Sequence, residues 1–287
     1  MIPRPFEYER PRSLDEAVAL LARPIDAKVL AGGQSLVPML SLRLAQPDLL
    51  VDIGGLELEG IEVTDGRVRI GARTTHRELE LGSQARELIA LAAVAARHIG
   101  NPRVRNRGTF GGSLAHADPA GELGAIVLVH GGEIVVRGQA GERRIAPEEF
   151  FLGYLETALD DGELIVAAEL DKLPEGSGIG FEEAAGRADD FAMAAAAAAV
   201  TLEGDGRACA DARLALVGVA DRPVRARAAE QVARGESLGE ELLRRVQEAV
   251  EEAVEPEEDA FVSASFRRRL AGVCARRALE QAWAAAT

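Results

Sequence analysis

The sequence predicts an α+β protein of two domains. Three observations carry that expectation. The 287 residues are 47% hydrophobic with a mean hydropathy near zero, enough to bury more than one core. Helix and strand patterns alternate near the start and give way after residue 60 to a hairpin signal. The run Pro174-Glu175-Gly176-Ser177-Gly178 then combines breakers and polar residues after a strand, the composition of a linker.

Each element follows from its own signal. Ser13-Leu14-Asp15-Glu16 reads as a capping box, with the Ser13 hydroxyl on an orphan N–H and Glu16 reaching back, so a helix opens there over the apolar run 17–21. Residues 28–31 form a short apolar strand, 37–45 a helix, and 49–53 a strand stopped by Gly54-Gly55, an order that resembles the start of an α/β unit. A hairpin then pairs 61–63 with 68–71 about Asp65-Gly66. Residues 75–81 and 84–99 read as helices, the second carrying Leu88, Leu91, Ala92, Ala95 and Ile99 on one face. A helix over 120–129 and strands over 133–137 and 164–170 complete a first domain expected at 1–175. In the second, expected at 178–287, residues 193–200 are ambiguous. Alanine is the strongest helix former, yet a strand of alanines packs tightly beneath covering helices. Residues 214–219 read as a strand, and 225–234, 238–254 and 265–284 as helices.

The chemistry concentrates in two glycine-centred loops, Ala31-Gly32-Gly33-Gln34-Ser35 and Thr109-Phe110-Gly111-Gly112-Ser113. Paired glycines remove two Cβ atoms, so backbone N–H groups can converge on an anion while nearby hydroxyls add donors. One such loop is an ordinary turn. Two, flanked by Ser35 in one case and by Thr109 and Ser113 in the other, suit a diphosphate. Arg103, Arg105 and Arg107, just before the second loop, could steer an anionic cofactor, line a subunit interface or form a solvated face. His76, His98, His116 and His130 lack metal-ligand spacing, and of them only His116, eight residues after Gly108, is placed near the second glycine loop and whatever it binds. Asp118 and Glu122 sit at i, i+4, and a cap plus a hydroxyl contact explains them better than an acid/base pair.

Other classes are excluded by composition and missing motifs. The formal charge of −14 opposes nucleic-acid binding. Cys209 and Cys274, the only cysteines, fit a reducing cytoplasm, read as small apolar residues, and are too few to hold an iron–sulfur cluster. There is no run of about 20 apolar residues to cross a bilayer, and the first five residues lack the apolar core of an export signal. Hydrolase elbow, Walker and zinc-protease patterns are absent, as is the Rossmann glycine fingerprint.

Taken together, these residues resemble the FAD-binding medium subunit of molybdenum hydroxylases, the group of carbon monoxide and xanthine dehydrogenase-type enzymes. The likeness runs through Ala31–Met39, Gly100–Ser113, Ala115–Leu123, Phe151-Leu152-Gly153-Tyr154, Phe181-Glu182-Glu183, Asp189-Asp190-Phe191-Ala192 and Gly218–Arg225. Gln34 stands where many members carry His, and Ser113 where they carry Asp or Asn; some relatives place Tyr or Lys near Phe181 and Glu182. The resemblance implies a flavin domain of the vanillyl-alcohol-oxidase (PCMH) type in two subdomains of about 1–56 and 57–175, then a CO dehydrogenase flavoprotein C-terminal-like domain with an antiparallel sheet, in which residues 193–202 form a strand. It implies noncovalent FAD, its diphosphate and ribityl chain on Val29, Leu30, Ala31, Gly32, Gly33, Gln34, Ser35 and Leu36 and on Thr109, Phe110, Gly111, Gly112 and Ser113, with further contacts from Ile99, Glu122 and Ile165.

The function implied is electron transfer: FAD takes electrons from a 2Fe–2S subunit that received them from a molybdopterin subunit, and hands them to a quinone, NAD, oxygen or a carrier. No side chain of this chain need act as acid or base, and no metal is expected in it. The expected assembly is a cytoplasmic dimer of heterotrimers with the iron–sulfur small subunit and the molybdopterin large subunit. Two other readings are a self-contained FAD oxidase or reductase of the same fold, and a cofactor-free assembly or scaffold subunit.

Overall fold

The computed structural model describes residues 2–187, 189–204 and 206–286. Met1 and Thr287, the expected outer bounds of the two domains, lie outside them, as do Ala188 and Asp205.

The chain opens with β1 (Glu7–Glu9), α1 (Leu14–Leu21), β2 (Ala27–Leu30), α2 (Leu36–Leu42) and β3 (Leu49–Asp52). The strands make a parallel sheet in the order β1-β3-β2, with Leu49 facing both Glu7 and Ala27. The Ser13 hydroxyl accepts the Glu16 N–H at the head of α1 as expected, but the Glu16 carboxylate reaches past Ser13 to the N–H of Arg12. The expected hairpin is β4 (Ile61–Thr64) and β5 (Arg67–Gly71), with Asp65 and Gly66 both at positive φ, 51° and 81°, as a twist-matched two-residue turn demands.

The long helix expected over 84–99 is broken. After α3 (His76–Leu81), which has a full capping box between Thr75 and Glu78, come α4 (Ser83–Leu88) and α5 (Ala90–Ala95), separated by Ile89 at φ −147°. Ile89 is 1% exposed, and turning the chain there keeps it and Leu91 in one core, a tertiary demand that no glycine or proline announces. The arginine run opens in a short helix, α6 (Pro102–Arg105), capped by Asn101. Then follow α7 (Phe110–His116), α8 (Glu122–His130), β6 (Glu133–Gly138), β7 (Gly141–Ile145), α9 (Pro147–Phe150), β8 (Phe151–Gly153), β9 (Glu156–Thr157) and β10 (Leu164–Leu170). An antiparallel sheet runs β4-β5-β10-β6-β7. β7 escapes a sequence reading because it is charged; Arg143 pairs with Glu163 and Arg144 with Glu169, carboxylates that arrive only later in the chain.

The remainder is β11 (Gly178–Ala185), β12 (Ala192–Leu202), β13 (Cys209–Val217), β14 (Val224–Arg225), α10 (Arg227–Ala233), α11 (Glu240–Ala253) and α12 (Ala264–Ala285), with an antiparallel sheet β11-β12-β13-β14. The alanine run is therefore a strand, as the resemblance implies and against local propensity. Strand alternation explains it: Ala195, Ala197 and Ala199 face a core shared with Leu91, Leu123 and Ile126, while Ala194, Ala196 and Ala198 face Val246, Ala275 and Leu279 beneath the last two helices. Close approach requires small residues on both elements. A Cβ on Gly180 would lie 2.9 Å from the Ala278 carbonyl carbon, so α12 rests on bare backbone of β11.

Candidate cofactor-binding site

β2 ends at Leu30 and delivers the first glycine loop, where Gly33 adopts φ +73°, a left-handed conformation that favours glycine. Gly32 lies flat on the segment before the second loop. A Cβ there would come 2.7 Å from the carbonyl carbon of Arg107 and 2.9 Å from Cα of Gly108, so any side chain would wedge the loops apart. The second loop is zipped to the connector after β5. Backbone N–H groups run from His76 to Gly108 O, from Phe110 to Thr74 O and from Gly111 to Ala72 O, at 3.0, 2.8 and 2.8 Å. Gly111 must be small, because a Cβ would lie 2.6 Å from that of Ala72.

The two loops are not equivalent as donors. In the second, the Gly112 N–H goes to the Thr109 hydroxyl and the Ser113 N–H to the Thr109 carbonyl, so with the bonds to Thr74 and Ala72 its N–H groups from Phe110 to Ser113 are all spent on protein. Among the described residues, the N–H groups of Gly32, Gly33, Gln34 and Ser35 have no protein acceptor, and the Gln34 side chain folds back to donate to Gly32 O. Four consecutive unsatisfied donors on a glycine loop form a cradle for an anion.

Between the loops opens a cavity of about 450 Å³, within the range of small-molecule sites. Of the expected contact residues, Val29, Ala31, Gly32, Gly33, Gln34, Ser35, Leu36, Thr109, Gly111, Gly112, Ser113 and Ile165 line it. Leu30 lies just behind the first loop, and Phe110, fully buried, anchors the second in the core. Ile99 is in the same core, and Glu122 heads α8; neither is on the cavity wall. The opposite wall was not foreseen. It comes from residues 155–162, where Leu155 and Thr157 belong to the small β8–β9 hairpin and Leu159, Asp160, Asp161 and Gly162 follow it. The Asp161-Gly162 pair marks a turn but gives no sign of facing a ligand. His116 lines the cavity, and so does His76, which carries no mark of its own in the sequence.

Charged groups around the site divide by burial. Arg103 and Arg107 are exposed, whereas Arg105 is 8% exposed; it donates to the carbonyls of Ile99 and Gly100 and pairs with Glu80 at 3.0 Å, fixing the turn that leads to the second loop. Burial, with Arg105 alongside, lowers the His76 pKa to about 4. Asp118 does not cap α8, whose N-cap is Gly121; its carboxylate accepts the Ala120 N–H instead. Desolvation raises Glu122 to about 8 and, on β11, Glu183 to about 7. The Glu183 side chain is 4% exposed and lies 3.9 Å from His98, whose ring also packs on Phe181 at 5.0 Å. Cys209 and Cys274 are buried, with thiols pushed up to about 11 and about 12, and the described residues contain no cluster of three or more metal-ligating side chains.

Residues 4–171 match the family model described as the FAD binding domain in molybdopterin dehydrogenase, and residues 179–282 match the CO dehydrogenase flavoprotein C-terminal domain. The chain is 36% identical to the carbon monoxide dehydrogenase medium chain of Hydrogenophaga pseudoflava, with 99% of each chain covered. It is 35% identical to the 6-hydroxypseudooxynicotine dehydrogenase complex subunit alpha of Paenarthrobacter nicotinovorans, over 98% of this chain and 96% of that one. A solved structure of carbon monoxide dehydrogenase from H. pseudoflava lacking the Mo-pyranopterin moiety superposes with a TM-score of 0.96 at 37% identity over the whole of both chains.

Proposed function

The chain belongs to the family of FAD-binding medium subunits of molybdenum hydroxylases, and from that premise we propose that the cavity between the glycine loops holds the diphosphate and ribityl chain of its FAD. The subunit is the flavin part of an oxidoreductase whose molybdenum and iron–sulfur groups lie in other subunits. Bound FAD supplies the reversible redox chemistry that links the iron–sulfur donor to an external acceptor.

What the protein itself does is bind, orient and exclude. The four free N–H groups from Gly32 to Ser35 carry the proposal: they offer directed donors to phosphate oxygens without a lysine or arginine in the loop. The Ser35 and Ser113 hydroxyls line the same cavity and add donors there. Leu155, Leu159 and Ile165 line the cavity with apolar surface. We assign the cavity-lining residues expected from the sequence to cofactor contact, with Leu30, Phe110 and Ile99 supporting them from behind; Glu122, off the cavity wall, is assigned no contact there. The divisions near 56 and 175 are taken as the limits of the two subdomains and of the flavin domain.

Two relatives of nearly equal identity are named for carbon monoxide and for 6-hydroxypseudooxynicotine, unlike compounds. What this chain shares with both is the flavin part, so substrate choice falls to a partner subunit. A dimer of heterotrimers is the assembly we propose, in the cytoplasm, where two unpaired buried thiols fit a reducing environment. Among the described residues no helix is long and apolar enough to cross a membrane.

The deciding measurement is the visible spectrum of the purified chain after incubation with FAD and desalting. A retained oxidised-flavin spectrum whose colour is released into the supernatant by acid precipitation is expected. A colourless protein, both alone and co-purified with its partner subunits, would overturn the reading.

A further inference from the structure

We propose that His76 is a cofactor-contacting residue, its neutral imidazole hydrogen-bonding an oxygen of the dinucleotide seated between the two glycine loops. The inference rests on the reading of the cavity as the FAD site.

His76 is the third layer of a stack. Gly32 lies on the backbone of Arg107 and Gly108, and Gly108 lies on the imidazole, so close that a Cβ on it would be 2.5 Å from Cδ2 and 2.8 Å from Nε2 of His76. The residue is 3% exposed and forms part of the cavity wall. Its place is fixed from both sides: as the first residue of α3 it follows the Thr75–Glu78 capping box, and its N–H donates to Gly108 O. The ring therefore moves with the second glycine loop.

The imidazole Nδ1 is buried without a hydrogen-bond partner. Buried polar atoms are rarely left so. Nδ1 itself is sealed from the cavity, whereas Nε2, which borders Gly108, is neither sealed nor bonded to a described protein group, so the ligand meets the ring at Nε2. The ring could have been a plain spacer beneath Gly108, but then an apolar side chain would do as well without an orphaned nitrogen. Burial beside the Arg105 guanidinium keeps the ring neutral at physiological pH. A neutral imidazole has one N–H and one bare nitrogen, so it can donate to a phosphate oxygen or exchange a hydrogen bond with a ribityl hydroxyl. It does so without adding a second cation next to Arg105.

The test uses the full chain stripped of flavin, with FAD affinity read from quenching of flavin fluorescence. Wild-type binding is measured first; if it fails, the reading of the cavity fails before any variant is compared. Given wild-type binding, H76F is expected to weaken FAD by at least about tenfold, and H76Q, which keeps a donor and an acceptor, to stay within about threefold of wild type. In parallel, the chain labelled with 15N-histidine is titrated with FAD, and the His76 imidazole signals, assigned by their loss in H76Q, are expected to shift while those of His130, bonded to the Asp171 carbonyl, stay fixed. H76F binding FAD like wild type, or His76 signals unmoved at saturating FAD, would overturn the proposal. Should H76F fail to fold, the titration of wild-type protein decides alone.

Discussion

A methyl group at Gly32 would collide with the backbone of Arg107 and Gly108, neither of which can rotate out of the way. G32A is therefore expected to separate the loops and raise the FAD dissociation constant by at least about tenfold, while G239A, at an exposed position of extended backbone with open space around it, leaves affinity unchanged. Fluorescence quenching measures both. The sequence showed the glycines as a pair of anion loops. It could not show that the second loop spends its donors on Ala72, Thr74 and Thr109, because two of those acceptors lie some 35 residues upstream and pair with it only once the chain has folded. His76 escaped for the same reason: its meaning comes from Gly108, and nothing in its own neighbourhood marks it.

At the scale of elements, local chemistry was readable wherever it was self-contained. The Asp65-Gly66 hairpin and the helix after Thr75 have their signals within four residues. Charged β7 and the break at Ile89 depend on distant partners and left no local trace. The alanine strand is the sharpest case, since propensity and packing point in opposite directions. Its side chains are small because both faces are buried against close-set neighbours, so A197L is expected to cost about 1–3 kcal/mol through overpacking, read as a lowered midpoint in urea. A surface replacement such as E252A on α11 should shift the midpoint by much less.

The molecule as a whole carries a pH dependence set where its two halves meet. Glu122 on α8 and Glu183 on β11 titrate at about 8 and about 7, well above their ordinary values, with His98, Arg97, Asp118 and Glu182 as charged or titratable neighbours. A raised folded-state pKa means the folded chain holds protons that the unfolded chain has released. The stability this confers is complete below about 4.5 and is lost as pH rises through 7 to 8, with a slope of up to about 1.4 kcal/mol per pH unit for each proton held. Thermal melts between pH 6 and pH 9 are expected to show the midpoint falling, and E122Q, uncharged throughout, to flatten that fall. A midpoint equally steep in E122Q would place the effect elsewhere.

The two-faced strand also bears on how such a chain can be divided. Ala195, Ala197, Phe181 and Val217, all from the second half, complete a core whose other members, Leu91, Leu123 and Ile126 among them, come from the first. Two consecutive segments match two separate family models, yet neither owns the wall between them. A break at residues 171–178 would strip an apolar sheet face from one fragment and uncover the matching helices of the other. The two segments are thus inherited as a couple: a graft of either onto a foreign partner would have to bring along the residues that meet across that wall.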